Sequence, residues 1–252
     1  MAKWLMRLYA FIAIHLVWYL LSYRLGSYLI PRPDVVWIYL FGLIFKGTIF
    51  MHVLFSVFRI LAAMSVAFLI GVPIGLLSGV NKPIDKWLSP IIYLLFPIPK
   101  IAFLPIFMGL FGLGDLSKII LLFSVLIFQL ILSARDGVKQ IPIEYHHVVK
   151  TLKLSKLKKV MKLYLPSALP NVISSLRVGV GISMAVLFFG ENYATTYGMG
   201  YFIMNNWTMV NYKGMFAGIV VLAIIAAGLL TGIDLLERKL CRWLTYEQRH
   251  IV

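Results

Sequence analysis

Runs of mostly apolar residues, each about as long as a membrane-crossing helix, recur along the whole of this 252-residue chain. An α-helix needs roughly 20 consecutive apolar residues to cross the hydrocarbon core of a bilayer. Sixty-one per cent of the residues are hydrophobic and only 13% are charged, whereas soluble domains average about 45–50% and about 25%. A soluble domain of this length has too little interior to bury so much apolar surface. We therefore predict an all-α integral membrane protein.

Six segments are predicted to cross the membrane, and one is predicted to lie at its surface. The crossing segments are residues 4–22, 54–79, 87–111, 116–134, 166–190 and 213–236. Residues 35–53 are apolar but contain Lys46 and two glycines, so we predict a short interfacial or pre-span helix there and no further crossing. The third span contains four prolines, three of them in the segment "FPIPKIAFLP", and is predicted to depart from a regular helix. The chain is thus divided into an N-terminal part, 1–53, a core transmembrane domain, 54–236, and a basic tail, 237–252.

The distribution of basic residues predicts the orientation of the chain in the membrane. The net charge is +15, from 24 Lys and Arg against 9 Asp and Glu. With a cytoplasmic N-terminus, residues 1–7, 80–86, 135–164 and 237–252 lie inside, and they hold sixteen of those 24 cations. Because cytoplasmic loops of membrane proteins are enriched in Lys and Arg, both termini are predicted to be cytoplasmic. The long basic loop, 135–164, is then cytoplasmic too.

The sequence also argues against several other classes of protein. The high positive charge suggests nucleic-acid binding, but zinc-ligand spacing and interleaved aromatic and basic residues are missing from the sequence. The single Cys241 excludes an internal disulfide and a cysteine-only metal site. The sequence has no glycine-rich loop ending in Lys-Ser or Lys-Thr, so ATP hydrolysis by that route is not expected. The first apolar segment lacks a small-residue cleavage site and is predicted to be retained.

The basic loop has apolar residues at helical spacing. A first stripe consists of Tyr145, Val148, Val149 and Leu152, and a second consists of Leu157, Val160, Met161, Tyr164 and Leu165. This spacing indicates two amphipathic helices, and Ser155 between them is a predicted N-cap. Such helices can simply lie on anionic lipid. The helix–turn–helix pattern, followed directly by Leu165 and Pro166, favours docking of the first helix into a groove on a soluble partner.

The residues around this loop resemble those of a known family. The segment "IPIEYHHVVKTLKLSKLKKVMKLYLPSALPNVISSLRVGVGISM" resembles the cytoplasmic loop of inner-membrane permeases from binding-protein-dependent ABC importers. The segments "PIPKIAFLPIFMGLFGLGDLSKIIL", "YGMGYFIMNN" and "LLERKLCRWL" are similar to other parts of the nitrate, sulfonate and taurine branch of that family. The resemblance covers nearly the whole chain. It implies the type I ABC importer permease fold, with about six transmembrane helices and a cytoplasmic coupling-helix loop.

In that family the loop carries a coupling helix that sits in a cleft of the cytoplasmic ATPase. The resemblance implies an ATPase-coupling role for Glu144, Tyr145, His147, Val148, Val149, Thr151, Leu152 and Lys153. Two positions depart from the family pattern, because His147 stands in place of the usual Glu and Lys153 in place of a Gly. Gly adopts a positive φ at little cost, whereas Lys does not. We therefore expect the turn at Lys153 to be reshaped, or the two helices to run together.

The resemblance also implies the partners and the activity. The chain is expected to be a permease subunit in the bacterial inner membrane, paired with a second permease copy as a homodimer or heterodimer and surrounded by lipid. Two ATPase subunits would bind ATP and Mg²⁺ inside, a solute-binding protein would deliver substrate outside, and this chain would bind no cofactor. A small anion such as nitrate, a sulfonate or taurine is the favoured substrate, and a thiamine precursor or another vitamin-like solute is the alternative. A secondary carrier, a membrane scaffold and a membrane enzyme are rival classes.

Four ionisable residues within or at the ends of predicted spans are further candidates, because an unpaired charge in hydrocarbon is costly. Lys100, in the proline-rich span, is predicted either to face the translocation path or to have a structural partner. Arg177 and Glu191 are candidate path or gate residues. The alternatives are snorkelling to the membrane surface for Arg177 and a solvated loop position for Glu191. Arg59 is predicted to be an interface anchor.

Overall fold

The computed structural model describes residues 3–243, and within that range the chain is helical and has no β-strand. The α-helices are α1 (Lys3–Leu25), α2 (Pro33–Phe45), α3 (Phe50–Val80), α4 (Lys82–Leu95), α5 (Leu104–Phe111), α6 (Asp115–Lys139), α7 (Ile143–Thr151), α8 (Lys156–Lys159), α9 (Leu165–Glu191), α10 (Met199–Thr208) and α11 (Tyr212–Leu240). A 3₁₀ helix, Lys100–Phe103, precedes α5, and a π-helical turn, Val160–Tyr164, joins α8 to α9.

Five of these elements are long and apolar enough to cross a membrane, namely α1, α3, α6, α9 with the helical residues before it, and α11. A sixth candidate consists of α4 and the segment Lys100–Phe111, between which the chain bends by 82°. The predicted all-α fold with about six transmembrane segments is therefore confirmed. The bend also confirms the irregular third span, since Pro97 and Pro99 have no N–H with which to continue α4.

Residues 35–53 do not form the single interfacial helix that we predicted. Helix α2 ends at Phe45 and α3 begins at Phe50. Between them, Gly47 has a φ of +71°, and a left-handed residue cannot continue a right-handed helix. The second span therefore begins before residue 54, and α2 is a separate helix of 13 residues, which is too short to cross the membrane.

The fifth span also begins earlier than Pro166, its predicted start. Helical structure runs without interruption from α8 through the π-helical turn into α9. In a regular α-helix the ring of Pro166 would clash with the carbonyl of Lys162. The π-helical turn includes Lys162 and changes the backbone just before the proline. The second helix of the basic loop is therefore continuous with the fifth span.

The described residues form two compact units. The first contains the residues up to Ser56 together with Glu191–Ile225, and the second contains Val57–Gly190 together with the described residues from Ala226 onward. Helices α3 and α11 contribute residues to both. The division predicted from the sequence, with boundaries after residues 53 and 236, stays a prediction.

Aromatic side chains hold the first unit together. Trp18 on α1 donates a hydrogen bond from Nε1 to the carbonyl of Pro31 at 3.0 Å, and its ring stacks on Phe216 of α11. Trp37 on α2 donates from Nε1 to Nε2 of His15 at 2.9 Å. Tryptophan combines a large apolar surface with one polar N–H, and both indoles have a hydrogen-bond partner here. These contacts fix α1 against α2 and against the start of α11.

Glycines allow two helices of the second unit to approach closely. Gly71, Gly75 and Gly79 recur at every fourth position of α3. A Cβ atom at Gly75 would lie 2.7 Å from the Cβ of Ala134, and one at Gly79 would lie 2.7 Å from the Cβ of Val138. Side chains larger than hydrogen would therefore push α3 and α6 apart. This close contact positions the C-terminal end of α6, from which the basic loop departs.

Candidate functional site

The first helix of the basic loop, α7, presents its apolar side chains to solvent. Tyr145, Val148 and Leu152 are 57%, 55% and 63% exposed. Their spacing of three and four residues places them on one face of the helix. None of the residues Ile143–Thr151 is buried. Clustered exposed apolar side chains on a helix outside the predicted spans are typical of a surface that binds another protein.

The turn after α7 has the backbone of a Schellman motif. The N–H of Lys153 donates to the carbonyl of Lys150 at 3.0 Å, and that of Leu154 donates to the carbonyl of Val149 at 3.4 Å. Lys153 has a φ of +48°, at the position where Gly is most favoured after a helix. The two helices thus do not run together, and the turn keeps the left-handed conformation. The expected reshaping is wrong, because Lys153 accepts the strained backbone that a Gly would adopt freely.

This strain predicts that Lys153→Gly stabilises the turn. A left-handed backbone costs a non-glycine residue such as Lys153 roughly 1–2 kcal/mol, and Gly does not pay this cost. The gain is partly offset because Gly has greater conformational entropy in the unfolded state. We expect a net gain of about 0.5–1 kcal/mol, which corresponds to roughly 2- to 5-fold slower hydrogen exchange at positions 153 and 154. Lys150→Gly is the matched control, because Lys150 lies inside α7 and Gly there should speed exchange. Equal or faster exchange in Lys153→Gly would contradict the prediction.

Contacts near both ends hold the basic loop to the spans. At its start, Nδ2 of Asn171 on α9 donates to Oε1 of Gln140 at 3.1 Å. Nearby, a Cβ atom at Gly137 of α6 would lie 2.7 Å from the Cα of Ala168 on α9, so these helices touch. Further along, the ring of His146 in α7 lies 5.9 Å from that of Tyr164, at the base of α9. A displacement of α7 would therefore be transmitted to α6 and α9.

The second helix of the loop begins as predicted. Oγ of Ser155 accepts a hydrogen bond from the N–H of Lys158 at 3.4 Å, which confirms the N-cap. Of the second apolar stripe, Leu157 and Met161 are exposed. Leu163, which was not assigned to the stripe, is buried in the π-helical turn. The inward face of this helix is therefore offset from the stripe that we predicted, because π-helical spacing shifts the side chains that follow.

The remaining residues assigned to coupling lie around the same short helix. The side chains of Glu144 and His147 are exposed. Oγ1 of Thr151 donates to the carbonyl of His147 at 3.1 Å, within the helix. Val149 is half-buried, and its carbonyl accepts the hydrogen bond that closes the turn. An ATPase-coupling role for these residues stays a prediction, and the exposed face of Tyr145, Val148 and Leu152 is the part that a partner can reach.

Lys100 lies at the break of the third span and has structural partners. Its Nζ donates to the carbonyl of Leu95, and to that of Ile98 at 3.0 Å. Leu95 is the last residue of α4 and Ile98 follows it, at the end where the helix dipole is negative, so the ammonium group stabilises the break. A cavity of about 350 Å³ also borders Lys100. Its walls include Ile101, Phe128, Gln129, Ile182, Val186 and Phe189. Lys100 therefore has the predicted structural role and also borders a space inside the bundle.

Arg177 is neutralised by two acidic residues of α11. Its Nε donates to Oδ1 of Asp234 at 2.9 Å, and its Nη2 donates to Glu237. These ion pairs join α9 to α11. Because two carboxylates surround one guanidinium group, Arg177 offers little net attraction to an anion. A role of Arg177 on the translocation path stays a prediction.

Glu191 is fully buried, so its alternative placement in a solvated loop is wrong. Ser56 donates from Oγ to the carboxylate at 2.8 Å, and Gly200 donates its N–H at 2.8 Å. Ser56 in turn accepts the N–H of Met199 at 2.8 Å. The carboxylate thus lies at the N-terminal end of α10, where a negative charge and orphan N–H groups stabilise each other. A gating role for Glu191 stays a prediction.

Two cationic side chains are buried in the structure: Arg59, whose position was mispredicted from the sequence, and Lys118, which the sequence did not single out. Arg59 is only 3% exposed, and its Nε donates to Oδ1 of Asp115 at 2.8 Å. The predicted interface anchor is therefore wrong, because the guanidinium group turns inward to an acid on another helix. Lys118 is also buried, and its Nζ donates to the carbonyls of Leu113 at 2.9 Å and Gly114 at 3.2 Å. The spacing of residues in the sequence does not predict the partners of either cation.

Apolar spans with a proline-rich break beside a cavity, together with an exposed amphipathic helix on a basic loop, define a membrane transport protein of the permease class. Residues 71–245 match the binding-protein-dependent transport system inner membrane component family, and the chain belongs to that family. An inward-facing structure of the MetNI methionine ABC transporter superposes with a TM-score of 0.69 at 18% identity, over 78% of this chain and 97% of that chain. The fold is therefore that of a type I ABC importer permease.

Relatives place the chain in the nitrate, sulfonate and taurine branch. It is 33% identical over 197 residues to the taurine transport system permease protein TauC of Escherichia coli (strain K12), across 78% of this chain and 72% of TauC. It is 28% identical over 214 residues to the putative aliphatic sulfonates transport permease protein SsuC of Bacillus subtilis (strain 168), across 85% and 78%. It is 31% identical over 180 residues to the nitrate import permease protein NrtB of Synechococcus elongatus, across 71% and 63%.

Proposed function

We propose that this permease subunit moves a small anion inward by ATP-driven alternating access. The observation that carries the proposal is the exposed apolar face of α7, on a loop held to both α6 and α9. Two copies of the permease would present two such helices to two ATPase subunits, which bind ATP and Mg²⁺ and carry out the hydrolysis. Closure of the ATPases shifts the permease between its states only if they bind those states with different free energy.

The proposed substrate is nitrate, a sulfonate or a taurine-like anion. The transport activities named for the relatives support this class. Lys100 beside a mostly apolar cavity also supports it, since its positive charge favours an anion nearby. A solute-binding protein outside would select the substrate, so a thiamine precursor or another vitamin-like solute is the second candidate.

The proposed location is the bacterial inner membrane, with both termini in the cytoplasm. If the chain crosses the membrane six times, with α4 and α5 counted as one crossing, the lysine-rich loop lies on the same side as both termini. Sixteen of the 24 Lys and Arg residues are then cytoplasmic, as expected for an inner-membrane protein.

Reconstitution of the complete importer tests this proposal. The permease is co-expressed with the ATPase and the solute-binding protein encoded beside it and is incorporated into liposomes. Uptake of labelled taurine, nitrate and an alkanesulfonate is measured with ATP and Mg²⁺ on the ATPase side and binding protein on the other. We expect uptake of one of these anions that needs all the components. Uptake driven by an ion gradient without ATP would show a secondary carrier instead, and uptake of a vitamin-like solute alone would reassign the substrate.

A further inference from the structure

One acidic residue joins three helices next to the end of α6. Asp85 lies in the first turn of α4. Its Oδ1 accepts hydrogen bonds from Oγ of Ser78 on α3 at 2.9 Å and from Oγ of Ser89 on α4 at 2.8 Å. Its Oδ2 accepts one from Nζ of Lys139, the last residue of α6. Oδ1 thus bonds to α3 and to a residue of its own helix, whereas Oδ2 bonds to α6.

Arg135 extends the contact along α4. The guanidinium group is buried, and its Nη1 lies 3.6 Å from Oδ1 of Asp85 and donates to Oγ of Ser89 at 2.7 Å. Its Nη2 donates to the hydroxyl of Tyr93, about three turns into α4, at 2.9 Å. Its Nε donates to Asp136 at 2.9 Å, so its charge stays paired without Asp85. The network therefore links the last two turns of α6 to the first three turns of α4.

The position of this network suggests what it does. On one side, Lys139 is followed directly by Gln140, which bonds to α9, and then by the docking helix α7. On the other side, α4 leads to the 82° bend and to the cavity beside Lys100. We propose that Asp85 is a positioning residue that transmits the displacement of α7 to the broken third span. This inference rests on the proposed function.

The chemistry of the contact suits a rigid link. The acid lies at the N-terminal end of one helix and the lysine at the C-terminal end of the other, so each charge is also favoured by the dipole of its own helix. Bonds to Ser78 and Ser89 fix the carboxylate and leave one oxygen for Lys139. Without that last bond, the polar contacts of α6 with α4 are reduced to those of Arg135, one turn further back, so the end of α6 and the loop can shift relative to α4. ATP hydrolysis would then continue with less solute moved.

The variant Asp85→Asn distinguishes the proposed positioning role of Asp85 from a contribution to the stability of the fold alone. The amide keeps one oxygen for the two serines and turns an NH₂ group, which cannot accept a hydrogen bond, towards Lys139. Lys139 is 43% exposed and can be hydrated instead. In the reconstituted importer we expect the Asp85→Asn permease to co-purify with the ATPase normally and ATP hydrolysis to continue. The amount of solute moved per ATP should fall roughly 5-fold or more, which is the lower end of the usual coupling between two linked sites. Asp85→Glu, which keeps the carboxylate, should recover most of the ratio.

Thermal unfolding of each variant provides the readout of stability. Cys241, the single cysteine, is buried after the end of α11. Burial raises the pKa of its thiol, and the negative charge of Glu237 raises this pKa further. The thiol is therefore protonated and shielded in the folded protein, and its reaction with a maleimide dye reports unfolding. We expect Asp85→Asn and the wild type to unfold within a few degrees of each other.

Asp34→Asn is the matched control, because Asp34 forms an exposed ion pair with Arg32 at 3.2 Å and belongs to the other compact unit. It should leave the ratio of solute to ATP unchanged. If Asp85→Asn does not fold, Lys139→Met, whose side chain has no hydrogen-bond donor, removes the same bond from its exposed side and should lower the ratio likewise. The proposal would be overturned if Asp85→Asn left the ratio of solute to ATP unchanged. It would also be overturned if Asp85→Glu did not restore a lowered ratio and the ratio fell in proportion to the unfolding temperature of each variant. A wild-type complex that neither binds the ATPase nor transports would instead refute the proposed function.

Discussion

Leu152→Asp is expected to detach the ATPase from a permease that is still inserted and folded. Leu152 is 63% exposed at the end of α7, so the aspartate is solvated in the free subunit and folding is unaffected. In the complex the same carboxylate would be buried in an apolar cleft without a partner, which is costly. Central apolar contacts of an interface contribute roughly 2 kcal/mol or more, so binding should weaken by about 30-fold at least. Co-purification of tagged permease with the ATPase measures this loss.

Leu157→Asp is the matched control, since Leu157 is an even more exposed leucine of the same loop but lies on α8, outside the face of Tyr145, Val148 and Leu152. It should retain the ATPase. Val149→Asp is a poorer test, because Val149 is half-buried and its carbonyl closes the turn. Undiminished co-purification with Leu152→Asp would exclude docking through this face, and α7 would then be a helix that lies on lipid.

The largest effect on stability is expected for Gly198→Ala. Gly198 has a φ of +154° and a ψ of +152°, a region of the backbone map that only glycine occupies readily. A Cβ atom there would also lie 2.6 Å and 2.7 Å from the two carboxylate oxygens of buried Glu191. Backbone strain and overpacking each cost roughly 1–3 kcal/mol. We expect a loss of about 3 kcal/mol or more, seen as a large fall in the unfolding temperature and in the yield of folded protein.

Gly42→Ala is the control for this change in the same unit. Gly42 lies inside α2, and a Cβ atom there meets no neighbour within 4 Å. Alanine is favoured over glycine in a helix by about 0.5–1 kcal/mol, so this variant should be as stable as the wild type or slightly more so. If Gly198→Ala unfolded at the temperature of Gly42→Ala, the Glu191 pocket would have to be more adaptable than its geometry indicates.

The features predicted well are those that depend on short stretches of sequence. The spans follow from runs of apolar residues, and the break at Pro97 and Pro99 follows from the missing N–H groups. The N-cap at Ser155 follows from one side chain and the helix after it. The turn at Lys153 was misjudged because we read its backbone from the residue type alone. Hydrogen bonds to α7 hold the left-handed conformation there against the preference of the side chain.

The sequence by itself therefore determined an all-α membrane protein with about six spans, a basic loop with two amphipathic helices, and membership of a permease family. Hydrophobic burial and local backbone chemistry decide the spans and the amphipathic helices within a few turns of helix, whereas the family follows from the resemblance of several segments. Only the tertiary structure decided which charges meet. Arg59 pairs with Asp115, and Lys139 pairs with Asp85 54 residues away. A charge inside the bundle must find a partner because burial is costly, but that partner is chosen by how the helices pack, which no local pattern records.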